Sequence, residues 1–449
     1  MAHLSQGSKI LSFTPSELLW IISGSPWVHS DDSAAPAQIV HRFAQRYGRT
    51  RHSRWRQLAM FAIFLGGMPV VLGMIAVFTG RHGRRVCEAV DKSRLQQVVE
   101  QLGLWWKRGV LPISYYAFEL YRNERRRHAL DYLYRHETKQ CAYPLLRQRF
   151  SSAASTEALR DKARFARHCS EHSLPAVPAL FTVVDENIRG LGADERLPSC
   201  DLFLKPLSGA GGRGAELWHH QDNGQYHHAE HGNRSEAQLI EHLRALSRQQ
   251  PYVARLYVRN CPELAQLSSG ALCTVRVLTC LDETGKPVVT DAVLRMARTP
   301  GIVVDNFHAG GIAAKVELGT GRLGPATDMG LASSTRWYDE HPTTGGPITG
   351  RVVPNWEEVL SLARRAHEIF ADHIAIGWDI AVLDFGPQLV EGNKGPDLDI
   401  IQRTGGMPIG ATRFGELLAH HLRRAEETAP VAAEAPSAAS IHAVERTAA

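Results

Sequence analysis

The chain has 449 residues, 44% of them hydrophobic and 22% charged, with a formal net charge of +5. That length exceeds one hydrophobic core and predicts about two to three domains, and the composition is that of an ordinary folded protein. The seven cysteines are scattered without Cys-x-x-Cys spacing, which argues against a zinc site or a disulfide framework and fits a reducing compartment.

Arginines crowd residues 42–56, 81–94 and 122–135. Such basic patches suit nucleic acid or an anionic lipid surface. After a basic segment, 1–57, the run Leu58–Thr79 holds 22 residues without a charge. As a helix it would reach about 33 Å, enough for a bilayer core. It lies too far from the start, without a small-residue cleavage site, to be a signal peptide. Gly66-Gly67-Met68-Pro69 interrupts it, and Arg51, Arg54 and Arg56 on one side face Arg81, Arg84 and Arg85 on the other. A single span would leave one basic flank outside. The expectation is a transmembrane or re-entrant segment over 58–79, bent at Gly66–Pro69 with both flanks cytoplasmic; a buried core helix is the alternative. Residues 80–150 read as helical, with Val86–Leu102 as one helix by its apolar spacing. The Arg122–Arg127 run reads as a solvated or lipid-facing helix face.

Residues 151–424 carry the chemistry. Asp201–Pro206 is an apolar strand ending in Lys205, followed by a loop containing Gly209, Gly211, Gly212 and Gly214, then a second strand at Ala215–Trp218. Glycines let backbone N–H groups approach phosphate oxygens, and a lysine adds a point charge. No Gly-Lys-Ser/Thr opens a helix there, so this is not a P-loop. The histidines at 219, 220, 227, 228 and 231 flank Asp222-Asn-Gly224, a hairpin-turn sequence, and read as a surface turn. A helix is expected from Asn355 as N-cap, with Glu358 at the capping-box position and Val359, Ala363, Ala366 and Phe370 on one side.

Two strands follow, Ile376–Leu383 and Gln388–Asn393. A three-residue loop, Asp384-Phe385-Gly386, would pair Leu383 with Pro387 and place Asp379 opposite Glu391. Directly opposed residues share a face with Cβ atoms about 4.5–5.5 Å apart, and Asn393 lies on that face by the two-residue period. Two carboxylates and an amide oxygen on one apolar hairpin repel unless a cation lies between them, and hard oxygen ligands suit Mg²⁺ or Mn²⁺. Gly377, Gly392 and Gly395-Pro396 add close backbone approach. After Ala425 the chain is rich in Ala, Pro, Glu and Ser, and a disordered tail is expected over 425–449.

Lys205 with its Gly-rich loop, and Asp379 with Glu391-x-Asn393, resemble the ATP-grasp superfamily of carboxylate–amine ligases. Leu159-Arg-Asp-Lys-Ala-Arg-Phe165 resembles the start of its central subdomain, where Lys162 takes the place of a phosphate-binding lysine. Thr274–Thr279, Val293–Met296 and Val304–Gly311 resemble the ribosomal-protein and coenzyme glutamate ligases. In those an arginine on a strand, a later basic residue and an Asn…Gly-Gly turn line the reaction centre; here they are Arg276, Arg295 and Asn306. From Trp106 to about Phe414 the wording is similar to the sugar-transfer-associated ATP-grasp proteins found with bacterial polysaccharide synthesis, including His341-Pro-Thr-Thr-Gly345 and Pro354-Asn-Trp356. One departure is Arg255, which stands in the candidate hinge Tyr252–Val258 where an acceptor for adenine is usual.

The resemblance implies an α+β ATP-grasp fold, two subdomains gripping ATP, preceded by a helical membrane-associated region. It implies ATP and Mg²⁺ as cofactors and a carboxylate and an amine or sugar as substrates; the uncharged run and its basic flanks add an anionic membrane surface as the expected partner, with no nucleic acid expected. It also implies a catalytic domain on the cytoplasmic side of a bacterial inner membrane. The function implied is a ligase working through an acyl phosphate. A membrane-tethered nucleotide-binding accessory protein, or an ATP-dependent kinase, would use the same phosphate apparatus.

Overall fold

A computed structural model describes residues 15–23, 34–50, 54–191, 196–207, 214–299, 307, 310–332 and 335–427. The N-terminal part is helical: α1 (Pro15–Ile22), α2 (Pro36–Thr50), α3 (Arg54–Val90) and α4 (Arg94–Arg108). The uncharged run lies inside α3, one continuous helix of 37 residues with Pro69 in its interior, about 55 Å long. The expected bend at Gly66–Pro69 does not form. Proline removes one helical hydrogen bond, which a long apolar helix tolerates. Gly67 serves a contact instead: a Cβ there would lie 2.9 Å from Cγ1 of Ile22, so α1 crosses close.

The single helix expected over Val86–Leu102 is two. α3 ends at Val90, Asp91 takes a φ of 50°, and Ser93 opens α4 with a reciprocal capping box to Gln96. That Ser-x-x-Gln signal outweighs apolar spacing because it satisfies two orphan backbone donors. α4 folds back along α3, where Gln101 Nε2 donates to Thr79 Oγ1 at 2.9 Å and Gln97 Nε2 to the Gly83 carbonyl at 3.1 Å.

The Arg122–Arg127 run is neither a freely solvated nor a lipid-facing surface. Arg122 and Arg125 pair with buried Glu119 at 3.1 and 3.2 Å, and Arg126 with Glu100 at 2.6 Å. Glu119 also receives Arg403 at 2.9 Å. Buried Arg403 donates further to the Ala117 and Asp328 carbonyls and to Thr327 Oγ1. One guanidinium thus ties the helical N-terminal part to the following sheet.

Two antiparallel seven-stranded sheets make up the rest. The smaller holds β1 (Ala179–Val184), β2 (Asn187–Arg189), β3 (Leu202–Pro206), β4 (Glu216–His220), β5 (Tyr226–His228), β6 (Gly232–Arg234) and β7 (Tyr252–Leu256), in the order β2-β1-β7-β3-β4-β5-β6. The larger holds β8 (Thr274–Leu281), β9 (Pro287–Met296), β10 (Ile312–Val316), β11 (Leu323–Thr327), β12 (Trp337–Tyr338), β13 (Ala375–Leu383) and β14 (Gly386–Asn393), in the order β12-β11-β10-β9-β8-β13-β14. The helix Glu236–Ser247 backs the small sheet through Leu239 and Leu243.

The helix Trp356–Glu368 covers one face of the large sheet, with Val359, Ala363 and Ala366, and Phe370 just beyond its end, packed against Ile376, Trp378 and Ile380. Burying a side chain such as Val359, Phe370 or Ile376 is worth about 1.5–3 kcal/mol, and each alanine methyl about 0.8 kcal/mol. Asn355 does not cap this helix with its side chain; it sits in the left-handed region at φ 52°, a conformation asparagine tolerates. Glu357 and Glu358 still face the helix N-terminus, where negative charge is favoured. The expected tail lies outside the described residues except for 425–427, which finish the helix Arg413–Glu427.

Burial pushes the Glu119 carboxyl up, but Arg403, then Arg125 and Arg122, pull it from 4.5 to about 2. Its stabilising contribution is therefore complete above pH 4.5 and lost as pH falls through about 2. Arg403→Met is expected to destabilise the protein by about 3 kcal/mol or more, as loss of one partner of a buried pair does. Adding Glu119→Gln should recover part of that loss. Chemical denaturation of the three proteins at neutral pH checks both statements.

Candidate active site

The acidic hairpin forms, by a different route from the expected one. β13 and β14 join through a two-residue loop, Asp384-Phe385, with Leu383 opposite Gly386 and Val382 opposite Pro387. Continued unbroken, that register would set Asp379 opposite Val390 and turn Glu391 to the other face. A bulge between Asp379 and Ile380 adds one residue on the β14 side, and Asp379 faces Glu391, Trp378 faces Gly392 and Gly377 faces Asn393. Arg255 holds the bulge. From buried β7 its Nη1 donates to the Val390 carbonyl at 2.7 Å and its Nη2 to the Lys162 carbonyl at 3.2 Å. Set within a strand of the small sheet, it staples that sheet to the large one and to the start of the Lys162 helix.

The opposite wall comes from the small sheet. Along β3, Leu202, Leu204 and Pro206 are buried, while Phe203 and Lys205 turn to the other face. Lys205 Nζ lies 3.2 Å from Glu391 Oε2. Lys162 opens the helix Lys162–Glu171, which Asp161 caps by accepting from the N–H groups of Ala163 and Arg164. The buried Lys162 Nζ donates to the Leu207 carbonyl at 3.1 Å, at the root of the Gly-rich loop. Gly214 has a φ of 73°, and a Cβ there would lie 3.0 Å from the Tyr252 hydroxyl. Gly209, Gly211 and Gly212 lie outside the described residues, as does Asn306.

Two arginines on neighbouring strands grip Asp379. Arg276 of β8 bonds it twice, through Nε to Oδ1 and through Nη2 to Oδ2, and Arg295 Nη1 of β9 reaches Oδ2 at 2.9 Å. Arg276 stands opposite Asp379 in the ladder. Asn393 Nδ2 donates to the Gly377 carbonyl at 3.3 Å. The glycines permit this packing, for a Cβ on Gly377 would lie 2.9 Å from Pro396, and one on Gly392 2.7 Å from Leu159 and Trp378.

The electrostatics follow. Lys205 foremost, then Lys162, Arg276 and Arg295, hold the Glu391 carboxyl well below its usual range against the effect of burial. Burial first, and the charge of Lys205 second, lower Lys162 to about 8. Ionised carboxylates and an amide oxygen are the hard donors Mg²⁺ takes, and the surrounding cations match phosphates. The residues present fit a magnesium–nucleotide complex, provided that phosphate oxygens take over Lys205 and the arginines and release the carboxylates.

Beyond Asn393 lie charged groups with no place in the expected site. Arg135 pairs with Asp397 at 2.7 Å, and Lys139 Nζ donates to the Gly395 carbonyl. Asp399 is pushed up to about 8, by burial first and by Asp397 second. The Asp-x-Asp spacing directly after Glu-x-Asn was the available signal; the partners from 135 and 139 had none.

The histidines divide into two groups. His219 bonds Asp201 at 3.0 Å and His227 bonds Asn233 at 2.7 Å, beside the turn that closes at Gly224. The ligand atoms of Glu216, His228 and His231 lie within 4.8 Å of one another. Glu216 pairs with Leu204, which puts the group on the sheet face away from Lys205. His228 Nδ1 accepts the backbone N–H groups of Glu230 and His231, which places the ring proton on Nε2. The cluster is a hydrogen-bonded group packed on Trp218.

A family model described as sugar-transfer associated ATP-grasp matches residues 145–412. No curated protein matches the sequence. Similar solved structures include an ADP complex of purK, the N5-carboxyaminoimidazole ribonucleotide synthetase, at 12% identity and TM-score 0.32, covering 54% of this chain and 46% of that one. The L-amino acid ligase from Bacillus licheniformis gives 10% identity and TM-score 0.34 over 60% and 49%. The D-alanine-D-alanine ligase from Coxiella burnetii gives 10% identity and TM-score 0.35 over 62% and 61%. The chain thus spans about half to three-fifths of the length of these three structures.

Arg255→Met leaves the Val390 and Lys162 carbonyls without their donor, at about 1–3 kcal/mol for each buried group. The expected result is a loss of about 2 kcal/mol or more in unfolding free energy, with partial recovery in Arg255→Lys. Chemical denaturation measures both.

Proposed function

Because the chain belongs to the sugar-transfer-associated ATP-grasp family, we propose that it is an ATP-dependent ligase joining a carboxylate to an amine through an acyl phosphate, in the biosynthesis of a cell-surface polysaccharide or sugar conjugate. The observation that carries this reading is the meeting of Lys162, at the start of its helix, and Lys205 of the small sheet with Glu391, Asp379, Arg276 and Arg295 of the large sheet.

In this reading Lys162 and Lys205 hold nucleotide phosphates. Asp379, Glu391 and Asn393 offer the oxygens for Mg²⁺, which when bound neutralises charge on the transferring phosphoryl group. Arg276 and Arg295, once phosphate draws them from Asp379, lie on adjacent strands where the acyl group would form. Their guanidinium donors are suited to the oxyanion of the tetrahedral intermediate as the amine attacks. Burial of Arg276, Arg295 and Asp379 to about one-tenth exposure or less supports the chemistry by limiting water, which would hydrolyse an acyl phosphate.

The test is ATP turnover against a pool of amino acids and uronic-acid sugars, recording released phosphate and product masses. A product whose mass equals the sum of the two substrates less one water supports ligation. A phosphorylated product without condensation would make the protein a kinase, and no turnover with tight ATP binding would make it an accessory.

Glu391→Gln is expected to keep the fold and lower turnover more than about a hundredfold, since it removes one anionic ligand from a cation that balances phosphoryl charge. Wild-type turnover in folded Glu391→Gln would remove the metal assignment. Lys162 must be protonated to hold phosphate, so ATP affinity should fall as pH rises through about 8. Lys205→Met should weaken ATP binding about tenfold at neutral pH, on the order of one lost charge-assisted contact. It should also move the alkaline fall to higher pH, because the like charge that depresses Lys162 is gone. Calorimetric titrations across pH read both effects.

A further inference from the structure

We propose that the outward face of α3 docks on an anionic lipid leaflet with the helix lying in the plane of the membrane, not across it. From Leu58 to Gly80 the helix has no charged residue, and its outward side chains include exposed Leu58, Phe61, Leu65, Val70, Leu72 and Val77. Only 17% of its most apolar window is buried. Contiguous apolar patches of this kind mark interaction sites.

The direction of the helix decides between spanning and lying flat. Near its start Met60 packs with Ile21, Ala44 and Cys141. In the middle Val71 and Ile75 pack with Trp105 and Leu111. Near its end Arg85 donates to the Ala332 and Gly330 carbonyls at 2.9 and 3.2 Å, and Val86 joins the cluster around Tyr116. Met60 and Val86 are about 39 Å apart along the axis, yet both rest on the same body. A span would carry one of them across about 30 Å of hydrocarbon, away from its partners.

Charge at the rim selects lipid as the occupant. Arg81 and Arg84 are exposed where the apolar stripe ends, Arg84 pairing with exposed Glu88. Lys107 and Arg108 are exposed at the end of α4 beside Trp106, itself 66% exposed. Basic residues are attracted to an anionic leaflet, and tryptophan favours the interface. A charge-free apolar surface edged by arginine, lysine and tryptophan, with its remaining side packed on protein, suits the boundary between water and lipid. Gly66, Gly73 and Gly80 are open on the outside, so a second copy of the chain is the competing occupant.

The test uses the full chain and vesicles of phosphatidylcholine with phosphatidylglycerol, against phosphatidylcholine alone. The wild type is expected to sediment with the mixed vesicles, and Leu65→Glu/Leu72→Glu to bind more than about tenfold more weakly, with ATP affinity and unfolding unchanged. With Cys87 and Cys200 replaced by serine, Gln57→Cys and Arg84→Cys, at the two polar ends of the apolar run, should both react with an impermeant maleimide before detergent is added. Absence of wild-type sedimentation, or equal binding by the double variant, overturns the proposal. One position protected until the vesicles are opened would mean a span and overturns it as well. A lipid-free dimer that the double variant dissolves, without vesicle binding, would assign the face to a second copy.

Discussion

The bulge at Val390 is the constraint on which the site depends. An uninterrupted β13–β14 ladder would turn Glu391 into the apolar layer with Trp378 and leave Asp379 alone on the cleft face. One extra residue reverses that, at the cost of a carbonyl outside the ladder. Arg255, 135 residues earlier in sequence, bonds that carbonyl and the Lys162 carbonyl together. A buried guanidinium is costly to desolvate and is retained where its planar fork meets fixed acceptors. The same side chain therefore bonds both the bulge that sets the face of Glu391 and the carbonyl of Lys162, joining the two walls of the cleft.

Around that staple cations outnumber carboxylates: Lys162, Lys205, Arg276 and Arg295 surround Asp379 and Glu391. Asp379 is saturated by Arg276 and Arg295, and Glu391 by Lys205. Each pair is an intramolecular stand-in for one half of a magnesium–phosphate complex: the cations occupy the place of metal, the carboxylates the place of phosphate. In the proposed exchange of partners, phosphates would meet this excess of positive charge and a cation would compensate the released carboxylates, as a low-dielectric cleft demands. It also means that neither half of the ligand has its protein partners free by itself.

The sequence made much of this site legible, for local reasons. Acids and amide at a two-residue period on apolar strands, and a lysine ending a strand before glycines, are patterns whose chemistry is carried by spacing. The Asp379–Glu391 pairing was reached through two errors of one residue that cancel, a loop taken as three residues and a missing bulge. Arg255 was visible as an oddity but not as a staple, because its acceptors are backbone carbonyls distant in sequence. The Arg122–Arg127 run misled for the same reason: Glu119 and Glu100 become its partners only through tertiary packing. In α3, glycines and proline suggested a bend, whereas Gly67 is small because α1 crosses there.

The central claim is that metal and nucleotide enter this cleft together by exchanging partners with its ion pairs. Equilibrium binding of Mn²⁺, followed by its paramagnetic resonance in solution with and without a non-hydrolysable ATP analogue, tests it most directly. Negligible binding to the free protein and tight binding once the analogue is present are expected, the tight binding being lost in Asp379→Asn. Tight Mn²⁺ binding by the free wild-type protein, unchanged by the analogue, would contradict it.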